Sequence, residues 1–325
     1  MEKIRYGIIG CGKHALNSHA IPGQNVAELE LTAICDVSQN QLKAFENAYG
    51  QKLAKYNNKK EFLLSGISAV LIGTPDKFHY ENLALVIESG LHAFVEKPIG
   101  VTAEEVKNLE ALLEYAADKG IVISSCHPRR YDPPFVWLKK NLPLFERELG
   151  MPIDFRFDFS YHKPSKNWKQ TRGLLLDHVN HEVDLMHYLF GHEEFEAIKR
   201  ANTFDYYCVV GSRIDGINFQ FSGTRKLNSR KYSEWASIRF DHGSVMLDAG
   251  QGVVLVNNHE DNSENKIKIE PTNYDLRGRE TMANFAKAIN ETENRYLSKN
   301  DLYVNTAMSV MLTENQTWRY DGRNR

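Results

Sequence analysis

Ile4-Arg5-Tyr6-Gly7-Ile8-Ile9 runs directly into Gly10-Cys11-Gly12-Lys13-His14-Ala15. A short apolar strand feeds a glycine loop, and the loop opens a helix. Gly10 permits the tight turn, Gly12 lets backbone approach a ligand, and small Ala15 lets helix and strand pack closely. A helix start reached this way presents N–H groups and a positive dipole end to an anion, the arrangement that a dinucleotide pyrophosphate needs. Asp36 ends the next strand, Leu29 to Asp36, roughly 20 residues on, where an acid meets ribose hydroxyls. A carboxylate there favours NAD over NADP, although Lys13 and Lys77 are cations able to meet a phosphate. The competing reading of Asp36, a cap on the following turn, is weakened because Ser38 already caps the helix after it.

Outward from this unit, strand and helix alternate up to residue 125. Ala69 to Gly73 is an apolar strand closed by Thr74-Pro75-Asp76. A helix from His79 to Ser89 ends at Gly90, and Leu91 to Val95 is the next strand. Thr102-Ala103-Glu104-Glu105 is a capping box opening a helix that runs to Gly120, and Ile121 to Ser125 is a last strand. This rhythm predicts a Rossmann-type doubly wound parallel sheet with helices on both faces. It changes after Pro133-Pro134. Phe155, Phe157, Phe159 and Tyr161 alternate with Asp154, Arg156, Asp158 and Ser160, a period of two with one wet face. Antiparallel sheets permit that and doubly wound ones do not. Asp215-Gly216 and His242-Gly243 read as hairpin turns, and helices follow near 278–290 and 302–317. The expected organisation is a dinucleotide domain over 1–125 and an α+β domain over 126–325 with a large open, mainly antiparallel sheet.

The chain has 325 residues, 42% hydrophobic and 25% charged, with a formal charge of -2. That is an ordinary globular composition with no basic footprint for nucleic acid and no polybasic membrane patch. No apolar run approaches a membrane span. The N-terminus enters a strand at once, without a signal-peptide pattern, so the expected compartment is the cytoplasm. Cys11, Cys35, Cys126 and Cys208 lack paired spacing and read as reduced structural thiols.

Two clusters carry chemistry. Glu96-Lys97-Pro98 follows the strand Leu91–Val95, so Lys97 lies at the carboxyl end of a parallel strand, where open α/β sheets bind ligands. Pro98 restricts Lys97 to extended geometry. An ammonium there can stabilise charge on a carbinol oxygen; the alternative is a solvated strand-end lysine. In Asp177-His178-Val179-Asn180-His181-Glu182-Val183-Asp184, a helix puts Asp177, His181 and Asp184 on one face. A carboxylate that orients an imidazole makes a general base. A polar first helical turn, or a metal site using His178, His181 and an acid, competes with that reading. The spacing suits a metal poorly, and none is expected.

With these residues in place the chain resembles the glucose–fructose oxidoreductase, inositol dehydrogenase and MocA (Gfo/Idh/MocA) family. The resemblance rests on Gly10-Cys11-Gly12-Lys13, Cys35-Asp36, Thr74-Pro75-Asp76 with His79, and Glu96-Lys97-Pro98. Arg129-Arg130-Tyr131 with Pro133, and Asp177 with His181 and Asp184, extend it over nearly the whole chain. It implies bound NAD or NADP and oxidation or reduction of a secondary alcohol of a sugar, inositol or related polyol. It implies Lys97 and His181 as the acid–base pair with Asp177 in support. Gly10, Gly12, Lys13, His14, Asp36, Thr74, Pro75, His79, Glu96 and Lys97 would bind cofactor. Arg130, Tyr161, Trp168 and Asp184 would bind substrate, with Arg129 and His162 as further pocket candidates. Arg172-Gly173 and Val179 replace the family's usual glycines near the aspartate, with His178 and Asn180 as compensating polar groups. A homodimer or homotetramer through the open sheet is also expected from the resemblance. Two alternatives stay open: a non-catalytic NAD(P)-binding regulator, since fold alone does not fix function, and a reductase of a non-sugar acceptor such as a tetrapyrrole or imine.

Overall fold

The computed structural model describes residues 3–162, 173–227, 233–291 and 297–322. The chain divides into two compact units. One is Met1–Pro128 with Tyr274–Thr306, and the other is Arg129–Asn273 with Ala307–Arg325.

The first unit is built on six parallel strands: β1 (Ile4–Ile9), β2 (Leu29–Cys35), β3 (Ala54–Tyr56), β4 (Ala69–Ile72), β5 (His92–Val95) and β6 (Ile123–Ser125). Their order is β3-β2-β1-β4-β5-β6, so the winding reverses between β1 and β4. Strands such as Ala69-Val70-Leu71-Ile72 are wholly buried, as sheets covered on both faces require. The first helical segment is a π-helical turn, Ala15–Ala20, that continues into α1 (Ile21–Gly23). Next come α2 (Gln39–Tyr49), α3 (Lys59–Leu63), α4 (His79–Glu88) and α5 (Ala103–Asp118). Ser38 accepts a hydrogen bond from the Gln41 N–H at the start of α2, and Thr102 with Glu105 closes the expected capping box on α5.

The second unit holds α6 (Pro133–Leu149), β7 (Pro152–Ser160), α7 (Leu174–Phe190), β8 (Phe195–Asn202), β9 (Tyr206–Arg213) and β10 (Asn218–Thr224). It continues with β11 (Ser233–Phe240), β12 (Gly243–Asp248), β13 (Val253–Asn258) and β14 (Ser263–Lys268). Two helices, α8 (Tyr274–Glu291) and α9 (Lys299–Glu314), precede a last strand, β15 (Thr317–Tyr320). The nine-stranded sheet runs β14-β13-β12-β11-β7-β10-β9-β8-β15. It is antiparallel except where β7 pairs with β10 in parallel. The chain's own helices cover the aromatic face of β7: Phe135 of α6 lies 6.0 Å from Phe157, and Phe190 of α7 lies 5.4 Å from Phe155.

The expectation of one continuous domain over 126–325 differs from the structure. Helix α8 returns to the first unit and sets Met282, Phe285, Ala286 and Ala288 among Tyr6, Leu16 and Phe94. The face of the first sheet that it covers is apolar and needs burial. Helix α6 and the short edge strands β3 and β15 also go beyond the sequence reading. Among the described residues, no helix is long and apolar enough to cross a membrane.

Asp132, wholly buried just before α6, accepts hydrogen bonds from Thr272 Oγ1 and the Asn273 N–H, both at 3.0 Å. Asp132→Ala leaves both donors unsatisfied and is expected to destabilise the protein by about 1–3 kcal/mol, measurable by urea unfolding.

Candidate functional site

The nucleotide half of the site is set by backbone contact at the sheet's reversal. Gly10 has φ +92°, and a Cβ there would lie 2.6 Å from the Thr74 nitrogen. Only glycine lets the ends of β1 and β4 come that close. A Cβ on Gly73 would lie 2.8 Å from that of Ala15, so the small residue at 15 is needed as well. At Gly12 an added Cβ meets nothing within 4 Å, so the loop faces open space. Asp36 sits beside this loop, its Oδ2 accepting from the Cys11 N–H and its Oδ1 from the Ser38 N–H, both at 2.9 Å. Each oxygen keeps a lone pair for a ribose hydroxyl. Open space over a glycine turn, N–H groups at a helix start and an oriented carboxylate fit a nicotinamide dinucleotide. Lys13 is exposed, and Lys77 lies over the Phe78 ring at 4.8 Å.

Behind the loop the cleft is braced. His79 is buried, with Nδ1 2.8 Å from the Pro98 carbonyl oxygen and Nε2 2.7 Å from that of Thr74. It therefore ties the turns after β4 and β5 together, while Asn82 donates to Thr74 Oγ1 at 3.2 Å. Pro75 opens the short turn Asp76–Phe78. Lys97 is half-buried at the end of β5, and the Lys97–Pro98 peptide is cis. Glu96 is buried, and its Oε1 accepts from His14 Nε2 at 3.0 Å and from His19 Nε2. His14, whose side chain is 65% exposed, also bonds Ser18. Burial raises the Glu96 carboxyl, but His14 and His19 outweigh it and hold the group well below the usual range. These three side chains offer donor atoms within 4.8 Å of one another, a set of the type that holds a metal. His19 escaped the sequence reading because five residues separate it from His14.

In the second unit α7 carries Asp177, His181 and Asp184 on one helix, as expected. Asp177 is buried and lies beside Tyr161, whose hydroxyl is raised above its ordinary value by burial and then by the Asp177 charge. His181 is half-exposed, with its ring 5.7 Å from that of His178. Asp184 is wholly buried in a forked ion pair with Arg130, at 3.0 and 3.1 Å from Nε and 2.8 Å from Nη2. The structure thus joins two expected substrate ligands to each other. His178 stacks on Phe159 at 4.4 Å, and Asn180 donates to the carbonyls of Leu176 and Asp177. The Asn180 amide N–H groups thus serve the helix, and the His178 ring packs on the sheet face. Arg129 is buried over Phe157 and reaches Glu182 at 3.5 Å and Glu234 at 3.4 Å. His162 is exposed, its Nδ1 2.9 Å from the Leu227 carbonyl oxygen. Trp168 and Arg172 lie outside the described residues.

Comparison with known proteins agrees with this architecture. Residues 4–125 match the family model described as "Oxidoreductase family, NAD-binding Rossmann fold". Oxidoreductase P35 of Formosa agariphila is 24% identical over 78% of this chain and 82% of its own length. A scyllo-inositol 2-dehydrogenase (NADP(+)) of Bacillus subtilis is 26% identical over 59% of this chain, and the match spans about half of that enzyme, 53%. Among solved structures, a levoglucosan dehydrogenase complexed with NADH and levoglucosan superposes with a TM-score of 0.81. That match covers 98% of this chain and 99% of the other at 18% identity, a likeness of fold.

Removing one partner of a buried ion pair leaves an uncompensated charge. Arg130→Met is therefore expected to cost about 3–5 kcal/mol in unfolding free energy, with partial recovery in Arg130→Met/Asp184→Leu. Unchanged stability with a raised KM would instead make Arg130 a substrate ligand.

Proposed function

The chain belongs to the Gfo/Idh/MocA family of NAD(P)-dependent oxidoreductases, and we propose that it transfers hydride to or from a secondary alcohol of a sugar, inositol or related polyol. The observation that carries this reading is Lys97 at the carboxyl end of β5, on the same sheet edge as the glycine loop and Asp36. A nucleotide site needs no lysine there, whereas a carbinol oxygen that must lose its proton does. Bound NAD(P) supplies the two-electron acceptor for the carbinol hydrogen.

The chain's own residues do the rest. Gly10 and Gly12 admit the pyrophosphate, and Asp36 accepts from the ribose hydroxyls. His181 removes the hydroxyl proton as the carbon–oxygen bond gains double-bond character. Asp177, one turn earlier on α7, favours the imidazolium that forms. The Lys97 ammonium stabilises the developing negative charge on oxygen, and ketone reduction runs the same proton transfers backwards. The activities of a sequence relative on scyllo-inositol and of a structural neighbour on levoglucosan support the polyol class. We also propose that copies associate through the outer face of the nine-stranded sheet, where Trp235 and Tyr206 are about two-fifths exposed. Sedimentation velocity is expected to show a dimer or tetramer, and Trp235→Lys to shift it towards monomer.

The decisive assay mixes the protein with NAD or NADP and a panel of sugars and inositols, following NADH absorbance. Lys97→Ala is expected to lower kcat by about 100-fold or more while NADH binding, read by fluorescence, stays within about threefold. Wild-type turnover in that variant removes the lysine from the mechanism. NADH binding by the wild type without turnover of any alcohol makes the chain a regulator.

A further inference from the structure

Three donor atoms that the proposed reaction does not use converge in the first unit. His14 and His19 stand five residues apart, yet both Nε2 atoms meet Oε1 of Glu96. In an α-helix of 3.6 residues per turn, such residues point about 140° apart. The turn over Ala15–Ala20 instead closes i→i+5, with the Ile21 N–H on the Leu16 carbonyl. That spacing sets the two histidines on one face, with ring centroids 5.6 Å apart. Wide turns of this kind occur mostly as single insertions in helices, frequently at functional sites. The cluster therefore bridges two elements, the helical segment after the glycine loop and the end of β5.

Glu96 is buried, and among the described residues no lysine or arginine forms an ion pair with it. The groups it meets are the two imidazoles and the Cys126 thiol. A buried carboxylate needs a counter-charge in reach. Here that is either a protonated imidazole or a bound ion. The cluster is closed behind by Phe94, whose ring lies 5.0 Å from that of the buried His19. In front it is open, since the His14 side chain is 65% exposed, so an ion can enter from solvent. Outer contacts support the donors. Ser18 Oγ lies 3.1 Å from His14 Nδ1, and the Cys126 thiol bonds the Glu96 carboxylate. Ligating imidazoles and carboxylates are oriented by partners of these two kinds.

We propose that His14, His19 and Glu96 form a binding site for one divalent transition-metal ion of the zinc and cobalt class. Two imidazole nitrogens and a carboxylate oxygen are a donor set that such ions take, whereas magnesium and calcium prefer oxygen alone. Donor atoms held at about 2.0–2.1 Å from a tetrahedral ion stand roughly 3.4 Å apart. His14 Nε2 and Glu96 Oε1 are 3.0 Å apart, and all three donors lie within 4.8 Å of one another. Ligation takes the Nε2 lone pairs, so the hydrogen bonds to Glu96 give way to bonds with the ion. Three protein ligands leave a fourth position for water on the exposed side. The bound ion clasps the segment after the glycine loop to the end of β5 and brings positive charge to the start of that segment.

The test titrates the full chain, stripped with a chelator and free of nucleotide and substrate, with Co2+ and then Zn2+. One equivalent of Co2+ is expected to give the visible d–d absorption of a tetrahedral site, Zn2+ to displace it, and Zn2+ to raise the thermal unfolding midpoint. His14→Ala alters an exposed side chain and is expected to weaken Co2+ binding by about 100-fold or more. Ser18→Ala, which removes only the outer contact, is expected to weaken it by about tenfold. His242→Ala, at an exposed turn of the second unit, is expected to bind as the wild type does. No cobalt spectrum with the ion in excess overturns the proposal, and so does a spectrum that His14→Ala leaves undiminished. The imidazoles are then hydrogen-bond donors that hold Glu96 and nothing more.

Discussion

The close passage of backbone past backbone at Gly10 and Thr74 is the constraint on which the nucleotide unit depends. β1 and β4 are neighbours on either side of the point where the winding reverses, and no Cβ fits between their ends. Once the two chains touch there, other positions follow. The helix after the loop must start beside Gly73, so Ala15 is small. Asp36 at the end of β2 comes within reach of the Cys11 N–H and is oriented by it. His79 then ties Thr74 to Pro98, carrying the same register one strand further to β5. The carboxyl edge of the sheet is a linked set of backbone contacts more than a row of independent side chains.

The second unit solves a different problem, which is how to place polar groups under a helix that is buried nearly all round. From Leu174 to Leu189 almost every residue of α7 is inaccessible, including Asp177, Glu182 and Asp184. A buried carboxylate is tolerated only with a cation or donors in reach. Arg130 answers Asp184, and Arg129 lies between Glu182 and Glu234 while resting on the rings of Phe157 and Phe159. The Arg129-Arg130 pair is therefore the counter-charge of α7. That arrangement leaves Asp177 beside Tyr161 and His181 at the partly open surface of the same helix.

Much of the fold was legible because its signals are local. Ile4–Ile9 is the strand that apolar run predicts, Thr102 and Glu105 make the capping box, and the period of two in β7 sorts Phe155 and Phe157 inward. The family model over residues 4–125 agrees with the Rossmann sheet, and the solved structures share the fold of both sheets. What the sequence hid is non-local or depends on backbone detail. The return of α8 to the first unit leaves no mark in its own residues, since an apolar helix face does not say which sheet it covers. The parallel pairing of β7 with β10 is set by the order of hairpins and not by either strand alone. The meeting of His14 with His19 depends on one extra residue in a helical turn, and residue spacing assumes that turn to be regular. Arg130 and Asp184 read as ligands because an exposed and a paired charge look alike until a partner 54 residues away is seen.

The division of the first unit has a consequence for how the chain is made. Tyr6 and Phe94 emerge from the ribosome long before Met282 and Phe285, which complete their side of the core. Until α8 is synthesised, its flank of the parallel sheet stays uncovered while the eight strands β7–β14 of the insert are translated. Vectorial synthesis therefore makes the eight strands of Arg129–Asn273 available to pair before α8 completes the nucleotide fold, and the edge strand β15 joins their sheet last. A nascent chain stalled within the insert would present an unfinished apolar sheet flank, the one that Met282 and Phe285 later cover.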